Sequence, residues 1–261
     1  LRVLCDLGEL QERSAEEAGP TYEIPEGVCD VIRTAISEGR EGLTFAEGAA
    51  ILGTYGIEVC PYAYAEGPDE AVSFAKEYGY PVVAKLDAPG LAHRFERGAV
   101  LTGLHSREAL TSAVEGLSHI AVDDLAEARV LIQPQLEGRE LILGMERDRS
   151  FGPVVMFGIG GTLVEALQDV SFAVAPLARA DADRMIRSIR SFPLLEAFRG
   201  QAAADLDALA EALVGLGRLA AEIPEIEEID LNPTMATDRF AVAVDILIRL
   251  RTAGGAGAGA W

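Results

Sequence analysis

The chain has 261 residues, 49% of them apolar and 25% charged, with 42 acidic against 22 basic side chains and a net charge of -20. That length and balance belong to a globular protein that buries a core as one large domain or two smaller ones. The charge excludes a duplex nucleic-acid binder, whose affinity rests on cations neutralising phosphates; a nucleotide needs only a local cluster of cations. No apolar run approaches the roughly 18 residues that cross a bilayer, and no basic-then-apolar leader opens the chain, so the expected setting is the cytoplasm, away from membranes. Cys5, Cys29 and Cys60 have no metal-ligand spacing, and an odd number cannot form a complete internal disulfide set, so free or buried thiols are expected.

Residues 1–41 read as a leader: LRVLCDLGELQERS has helical apolar spacing, EEAGPTYEIPEG is a linker, and VCDVIRTAISEG is a second short helix. The first residue is Leu rather than Met, which fits a piece of a longer polypeptide and equally a processed or incompletely recorded start. Residues 42–136 form a first lobe. TFAEGAAILGTYG predicts a helix with Thr44 as N-cap and Glu47 completing a capping box, ending at Gly56. Next come a strand in IEVCPYAYA, a capped helix in DEAVSFAKEYG and a strand in YPVVAKLD. The loop APGLAHRFERGAV, the strand VLTGL, the helix SREALTSAVEGLSHI and the strand ARVLIQPQL follow. Residues 137–251 form a second lobe. RELILGMERD, GPVVMFGIGG and SFAVAPL read as an antiparallel set, followed by two helices, ADADRMIRSIRSFPLLEAFRG and DLDALAEALVGLGRLAAEI. IEEIDLNP and RFAVAVDILIRL close it as two more strands. This is an α/β or α+β arrangement. The Gly/Ala tail, 252–261, is expected to be disordered.

The stretch Phe151 to Leu177, FGPVVMFGIGGTLVEALQDVSFAVAPL, has apolar runs punctuated by glycines. Such runs predict buried strands whose connecting backbone approaches something closely. The expected result is a sheet that places the Gly160-Gly161 turn and Glu165 near a cleft.

Of the 22 basic residues only Lys76 and Lys85 are lysine. Lys76 lies in a helical run and is expected at the surface. Lys85 sits inside an apolar strand, where a cation is costly unless it meets an anion; a nucleotide α- or β-phosphate suits it. The plainer reading is a snorkelling lysine on an edge strand. In HRFERGAV, the residues His93, Arg94, Arg97 and Gly98 suit a loop folded over phosphates, or an exposed basic loop. Asp230 and Asn232 alternate with apolar neighbours, so both face one side of a strand. Asp245 interrupts the apolar run AVAVDILI, where an unpaired carboxylate is expensive. Two carboxylates and an amide oxygen are hard ligands that suit Mg2+ bridging phosphates, although Asp230 reads equally well as a turn residue. Glu140, at the head of a strand, suits ribose hydroxyls as an acceptor, or is an ordinary surface glutamate at a strand start. The backbone from Gln133 to Leu136 offers a purine an amide and carbonyl pair. His105 and His119 read as solvated.

In order, KEYGYPVVAKLD, His93 to Val100, GRELILGMERDRSFGPVVMFGIGGTLVEALQDVSFAVAPL, EIDLNP and AVAVD resemble the ATP-grasp domain of ADP-forming acyl-CoA synthetases, relatives of the succinyl-CoA synthetase β subunit. The resemblance runs from Gly42 to Leu250. It implies an α+β, ATP-grasp fold: two lobes holding ATP or ADP with Mg2+ in a cleft between them, plus the helical leader. It further implies a CoA-binding and CoA-ligase domain or α subunit as partner, where the small carboxylic acid and CoA bind, and an oligomer. Lys85 matches the family's phosphate-binding lysine, Glu140 its ribose carboxylate, and Asn232 and Asp245 its magnesium ligands. The resemblance also implies that a histidine on the partner domain takes the phosphoryl group and delivers it to ADP; His93 matches the histidine of a His-Lys-Ser-Asp loop that in some members serves as a second phosphoryl carrier. The sequence departs from the family at Arg94, Phe95 and Ala99 in that loop. It departs again at Ala173, where an arginine is usual. Loss of a hydroxyl and a glycine there favours retained nucleotide binding over retained turnover, so a degenerate domain that binds nucleotide as a sensor or scaffold is the alternative.

Overall fold

The structure, a computed structural model, describes residues 24–89, 98–124, 128–161, 169–197 and 202–251. Helix α1 (Glu26–Ser37) and α2 (Phe45–Thr54) precede a four-stranded antiparallel sheet of β1 (Ala63–Ala65), β2 (Val82–Asp87), β3 (Val100–Leu104) and β4 (Arg129–Pro134), ordered β1-β4-β2-β3. Its helices are α3 (Pro68–Tyr78) and α4 (Arg107–Asp124). A larger antiparallel sheet contains β5 (Arg139–Asp148), β6 (Gly152–Ile159), β7 (Val170–Val174), β8 (Ile226–Ala236), β9 (Ala241–Ala243) and β10 (Leu247–Leu250). Its order is β10-β8-β5-β6-β7, with β9 also on β8. Helices α5 (Arg179–Ser188) and α6 (Leu206–Glu222) lie between β7 and β8 in the chain. The mixture of helices with two antiparallel sheets is α+β, as the sequence predicts. Among the described residues no helix is long and apolar enough to cross a membrane.

Strand alternation decides what each sheet face carries. On β2, Val82, Ala84 and Leu86 join Val130 and Ile132 of β4 in a core with Val72 and Phe74 of α3 and Leu110, Val114 and Leu117 of α4. The intervening residues Val83, Lys85 and Asp87 face the other way, and all six positions of β2 are buried. The larger sheet turns Leu141, Leu143, Met145, Val155, Phe157, Ala173, Ile229 and Leu231 toward α5 and α6. Its opposite face carries Ile142 beside Gly158, and Gly144 between Met156 and Asp230.

Several sequence expectations are corrected by local chemistry. The long helix predicted from Ala180 stops at Ser188. The Asp169 carboxylate accepts the Arg190 and Ser191 amides at 2.7 and 2.6 Å, and Pro193, which has no N–H to continue an α-helix, sits in a short 3-10 turn (Phe192–Leu194). The strand read across RFAVAVDILIRL is two strands, because the Val244 and Asp245 amides both turn to the Pro233 carbonyl, at 3.0 and 3.5 Å. IEVCPYAYA is extended, but only Ala63–Ala65 is a ladder strand. Helix α3 has no side-chain cap; Gly67 precedes it, Pro68 opens it, and Gly79 at φ 88 closes it. Helix α1 was read as part of a separate leader, yet its Val28, Ile32 and Ala35 are buried in the larger core. The capping box of α2 is present as predicted, and its Glu47 carboxylate also takes both terminal nitrogens of Arg40 at 2.8 Å.

Candidate functional site

Lys85 is the centre of the candidate site. β2 runs between β4 and β3, and Lys85 is 3% exposed, so it is no snorkelling edge lysine. Its ammonium crosses from the small sheet to the break between β9 and β10, donating to the Val244 carbonyl and to Asp245 Oδ1, both at 2.9 Å. The Phe45 ring lies beneath it, 4.5 Å from Nζ to the centroid. Asp245 therefore meets a cation, as its apolar surroundings require. It also accepts the Ile246 amide at 3.1 Å and keeps 30% of its side chain exposed.

Gln133 faces the same way on β4, paired with Val83. Sequence reasoning valued its backbone, but the side chain is what reaches this cluster. Nε2 donates to the Val244 carbonyl at 3.2 Å, while the buried Oε1 has no hydrogen-bond partner among the described residues. Leu136 is half-buried in the short connection between β4 and β5, where the Gln135 amide donates to the Pro81 carbonyl at 3.0 Å.

Asp230 lies on the face of β8 turned away from the helices. Its Oδ1 is buried without a hydrogen-bond partner among the described residues. Burial, with the Glu228 and Asp245 carboxylates nearby, pushes its carboxyl up to about 7. An orphaned oxygen in a field of like charge is what a divalent cation relieves, so these residues fit Mg2+. Among the described residues no three His, Cys, Asp or Glu side chains form a ligand group, so a cation here would draw on the two carboxylates and the amide of Asn232. β8 carries one more residue than β5 between Leu231↔Leu143 and Thr234↔Leu141. That bulge holds the half-buried Asn232 and Pro233, and the simple alternation read from the sequence ends there.

Glu140 heads β5, exposed, and the glycine turn after β6 packs on it. The Gly160 amide donates to the Glu140 carbonyl at 2.7 Å. A Cβ on Gly160 would meet the Leu141 backbone at 2.8 to 2.9 Å, and one on Gly161, whose φ is 76, would run into the Glu140 carboxylate. The close approach predicted for these glycines is thus to the strand that carries Glu140. Gly98 is exposed with φ 65. His93, Arg94, Arg97, Glu165 and Gln168 lie outside the described residues. Asp169 serves the end of α5. Ala173 is buried opposite Val155 in the larger core, so that departure from the family pattern is one of core packing. Lys76, His105 and His119 are exposed.

The sequence reading missed Asp87. It is 2% exposed, two residues beyond Lys85 on the same face of β2. Its oxygens accept the Phe45 amide at 3.0 and 2.9 Å, and Oδ2 accepts the Tyr64 hydroxyl at 2.5 Å. Burial and the Asp87 carboxylate together hold the Tyr64 hydroxyl protonated well above the usual tyrosine range, and the Arg129 guanidinium stacks on its ring at 3.9 Å. The same-face spacing from Lys85 was the available signal.

Comparison with known proteins identifies the family of this fold. A family model described as an ATP-grasp domain matches residues 34–250. The β subunit of acetate–CoA ligase (ADP-forming) I from Pyrococcus furiosus is 41% identical over 220 residues, 83% of this chain and 94% of the relative. The acetate–CoA ligase (ADP-forming) I of Archaeoglobus fulgidus is 40% identical over 252 residues, 94% of this chain but 37% of the relative. A solved structure of the Ca. Korarchaeum cryptofilum dinucleotide-forming acetyl-coenzyme A synthetase 1 superposes with a TM-score of 0.74 at 38% identity, covering 86% of this chain and all of that one. It holds coenzyme A and Mg-AMPPCP, with its phosphohistidine segment pointing towards the nucleotide-binding site. The chain belongs to the ATP-grasp domain family and, within it, to the β-subunit-like parts of the ADP-forming acyl-CoA synthetases.

Proposed function

We propose that this chain is the nucleotide-binding, phosphoryl-transferring part of an ADP-forming acyl-CoA synthetase: acid, CoA and ATP give acyl-CoA, ADP and phosphate through a phosphohistidine. The observation that carries the reading is Lys85, a buried ammonium reaching from one sheet to a carboxylate on the other. A cation held between two sheets, facing carboxylates with an unsatisfied oxygen, is the electrostatic complement of a nucleotide polyphosphate with its metal. Lys85 would bind an α- or β-phosphate oxygen, and Glu140 the ribose hydroxyls. The segment Gln133 to Leu136 would take the purine. Asp230, Asn232 and Asp245 would hold Mg2+, which supplies charge neutralisation between phosphates. His93, with Arg94, Arg97 and Gly98, would receive and shield the phosphoryl group. Acid and CoA would bind on a CoA-ligase partner, as a separate subunit in the manner of the Pyrococcus relative or within one longer chain in the manner of the Archaeoglobus one.

The test is isotope exchange between ADP and ATP with Mg2+, after the chain is combined with a partner that supplies the CoA-binding part. Exchange lost in Lys85→Ala and in His93→Ala supports the reading. Binding of ADP without exchange in the complete assembly would instead favour the sensor or scaffold, to which the altered loop at Arg94, Phe95 and Ala99 points. The 261 residues turning acid, CoA and ATP into acyl-CoA alone would refute the division of labour.

A further inference from the structure

The geometry points to Asp87 as a positioning residue for Lys85, acting through Phe45; this builds on the nucleotide reading of the site. Three N–H groups open α2. The Glu47 amide goes to the Thr44 hydroxyl at 3.3 Å, the Ala46 amide to the Tyr64 hydroxyl at 3.3 Å, and the Phe45 amide to the Asp87 carboxylate. Two of these three acceptors thus come from the small sheet, on β1 and β2, whereas α2 itself packs into the larger core through Phe45, Ile51 and Leu52. A carboxylate at a helix N-terminus, in a buried site, is a strong anchor.

The anchored residue is the one whose ring supports the Lys85 ammonium. Phe45 is fully buried, and Tyr62 stands edge-on to it at 5.0 Å between centroids. Its ring therefore has little freedom once its amide is fixed. The strand β2 thereby holds both ends of the arrangement. Lys85 lies over the ring, and Asp87, on the same face, grips the backbone that carries it. A lysine stem has four rotatable bonds and loses much entropy when ordered. A fixed aromatic floor, with the Val244 carbonyl and Asp245 as walls, orders it before the nucleotide arrives, and that preorganisation becomes affinity. Asp87 touches neither nucleotide nor metal in this account.

Only two lysines occur in the chain, which makes the test direct. The full chain is prepared with 13C-labelled lysine, and the two ε-CH2 signals are recorded without nucleotide. Lys85 is expected upfield of Lys76, shifted by the Phe45 ring current, with exposed Lys76 as internal reference. In Asp87→Ala the Lys85 signal should collapse toward that of Lys76, and the ADP-Mg dissociation constant should rise about tenfold, within the range of a desolvated cation–π contact. Asp87→Asn keeps an acceptor for the Phe45 amide and should retain both the shift and the affinity. Phe45→Leu keeps an apolar, somewhat smaller side chain without a ring and should reproduce the Asp87→Ala affinity, which keeps the test decisive if Asp87→Ala does not fold. Unchanged ADP affinity in a folded Asp87→Ala or Phe45→Leu, a Lys85 signal undisturbed in Asp87→Ala, or an Asp87→Asn variant as weak as Asp87→Ala would each overturn the proposal. A wild-type chain that binds no ADP would count against the nucleotide reading, while the lysine signals would still decide whether Asp87 positions Lys85.

Discussion

Replacing Lys85 with methionine keeps most of the stem and removes the charge, and the structure says what that costs. Among the described residues two charge-assisted hydrogen bonds disappear, to the Val244 carbonyl and to Asp245 Oδ1. Bonds of that type contribute about 1.5 to 3 kcal/mol each, and stranding one partner of a buried pair costs about 3 to 5 kcal/mol. The partners here are not fully stranded. The Val244 carbonyl keeps the Gln133 amide at 3.2 Å, and Asp245 keeps the Ile246 amide and a side chain 30% exposed. The net loss should therefore lie low, about 2 to 3 kcal/mol. Urea unfolding near neutral pH should show a lower midpoint with an unchanged slope. Calorimetric titration of the folded variant with ADP and Mg2+ should show affinity at least about tenfold weaker, the effect of losing one ionic phosphate contact. If stability falls as expected while ADP binds as tightly as before, Lys85 is a strut between the sheets and the nucleotide reasoning fails.

Other outcomes follow from single features. Gly160→Ala should lower stability by more than about 2 kcal/mol in chemical denaturation, because its Cβ meets rigid Leu141 backbone and overpacking is not relieved there. Gly161→Ala should weaken ADP binding more than it lowers the melting temperature, since the new methyl displaces the Glu140 carboxylate; equal ADP affinity would detach Glu140 from the site. Arg147 donates to the Ala220, Ile223 and Ile226 carbonyls where α6 ends, at 2.7 to 2.9 Å, so Arg147→Ala should cost about 2 to 4 kcal/mol of stability and leave ADP affinity of the folded protein unchanged. Burial pushes the Cys60 thiol up to about 11, against the opposing pull of Lys85. The folded state then keeps this proton longer than the unfolded chain, so its effect on stability is absent at neutral pH and becomes destabilising as pH rises from about 9 toward 11. Mass-spectrometric mapping of thiol labelling should find Cys60 untouched in the native protein near neutral pH and modified after unfolding.

The site was legible in sequence wherever a charge stood against its surroundings. Lys85 in VVAKLD and Asp245 in AVAVDILI were both conspicuous because an apolar strand does not carry an ion without a reason. That they would neutralise each other was not legible, because 160 residues separate them and no periodicity links two sheets. Phe45 was read as the first residue of a capped helix, which it is; its part in the site runs through a main-chain N–H and a ring face, and composition reports neither. Gln133 was noticed for its backbone because it stood near the end of a strand, whereas burial of its amide follows only from the packing of β4 beneath the Val244 carbonyl. Asp87 was overlooked as a strand terminus. In the fold, the sheets followed from alternation and the capping box of α2 from its residue types. The early end of α5 depended on Asp169, 19 residues before Ser188 in the chain, and α1 joined the larger core through Val28, Ile32 and Ala35 despite the linker before it.

The bond from Lys85 to Val244 and Asp245 also fixes when the site can exist. A ribosome delivers β2 long before the break between β9 and β10, and domains take shape as their segments emerge. The small sheet has its own core in α3 and α4 and can form early. The larger sheet must wait for β8, which sits between β5 and β10 and is made after β5, β6 and β7. The Lys85 contacts are therefore completed only after β8 and the break at Val244 and Asp245 have been made. A chain ending before Val244 would keep Lys85 yet lack the carbonyl and carboxylate that receive it, leaving a buried ammonium with neither of these partners.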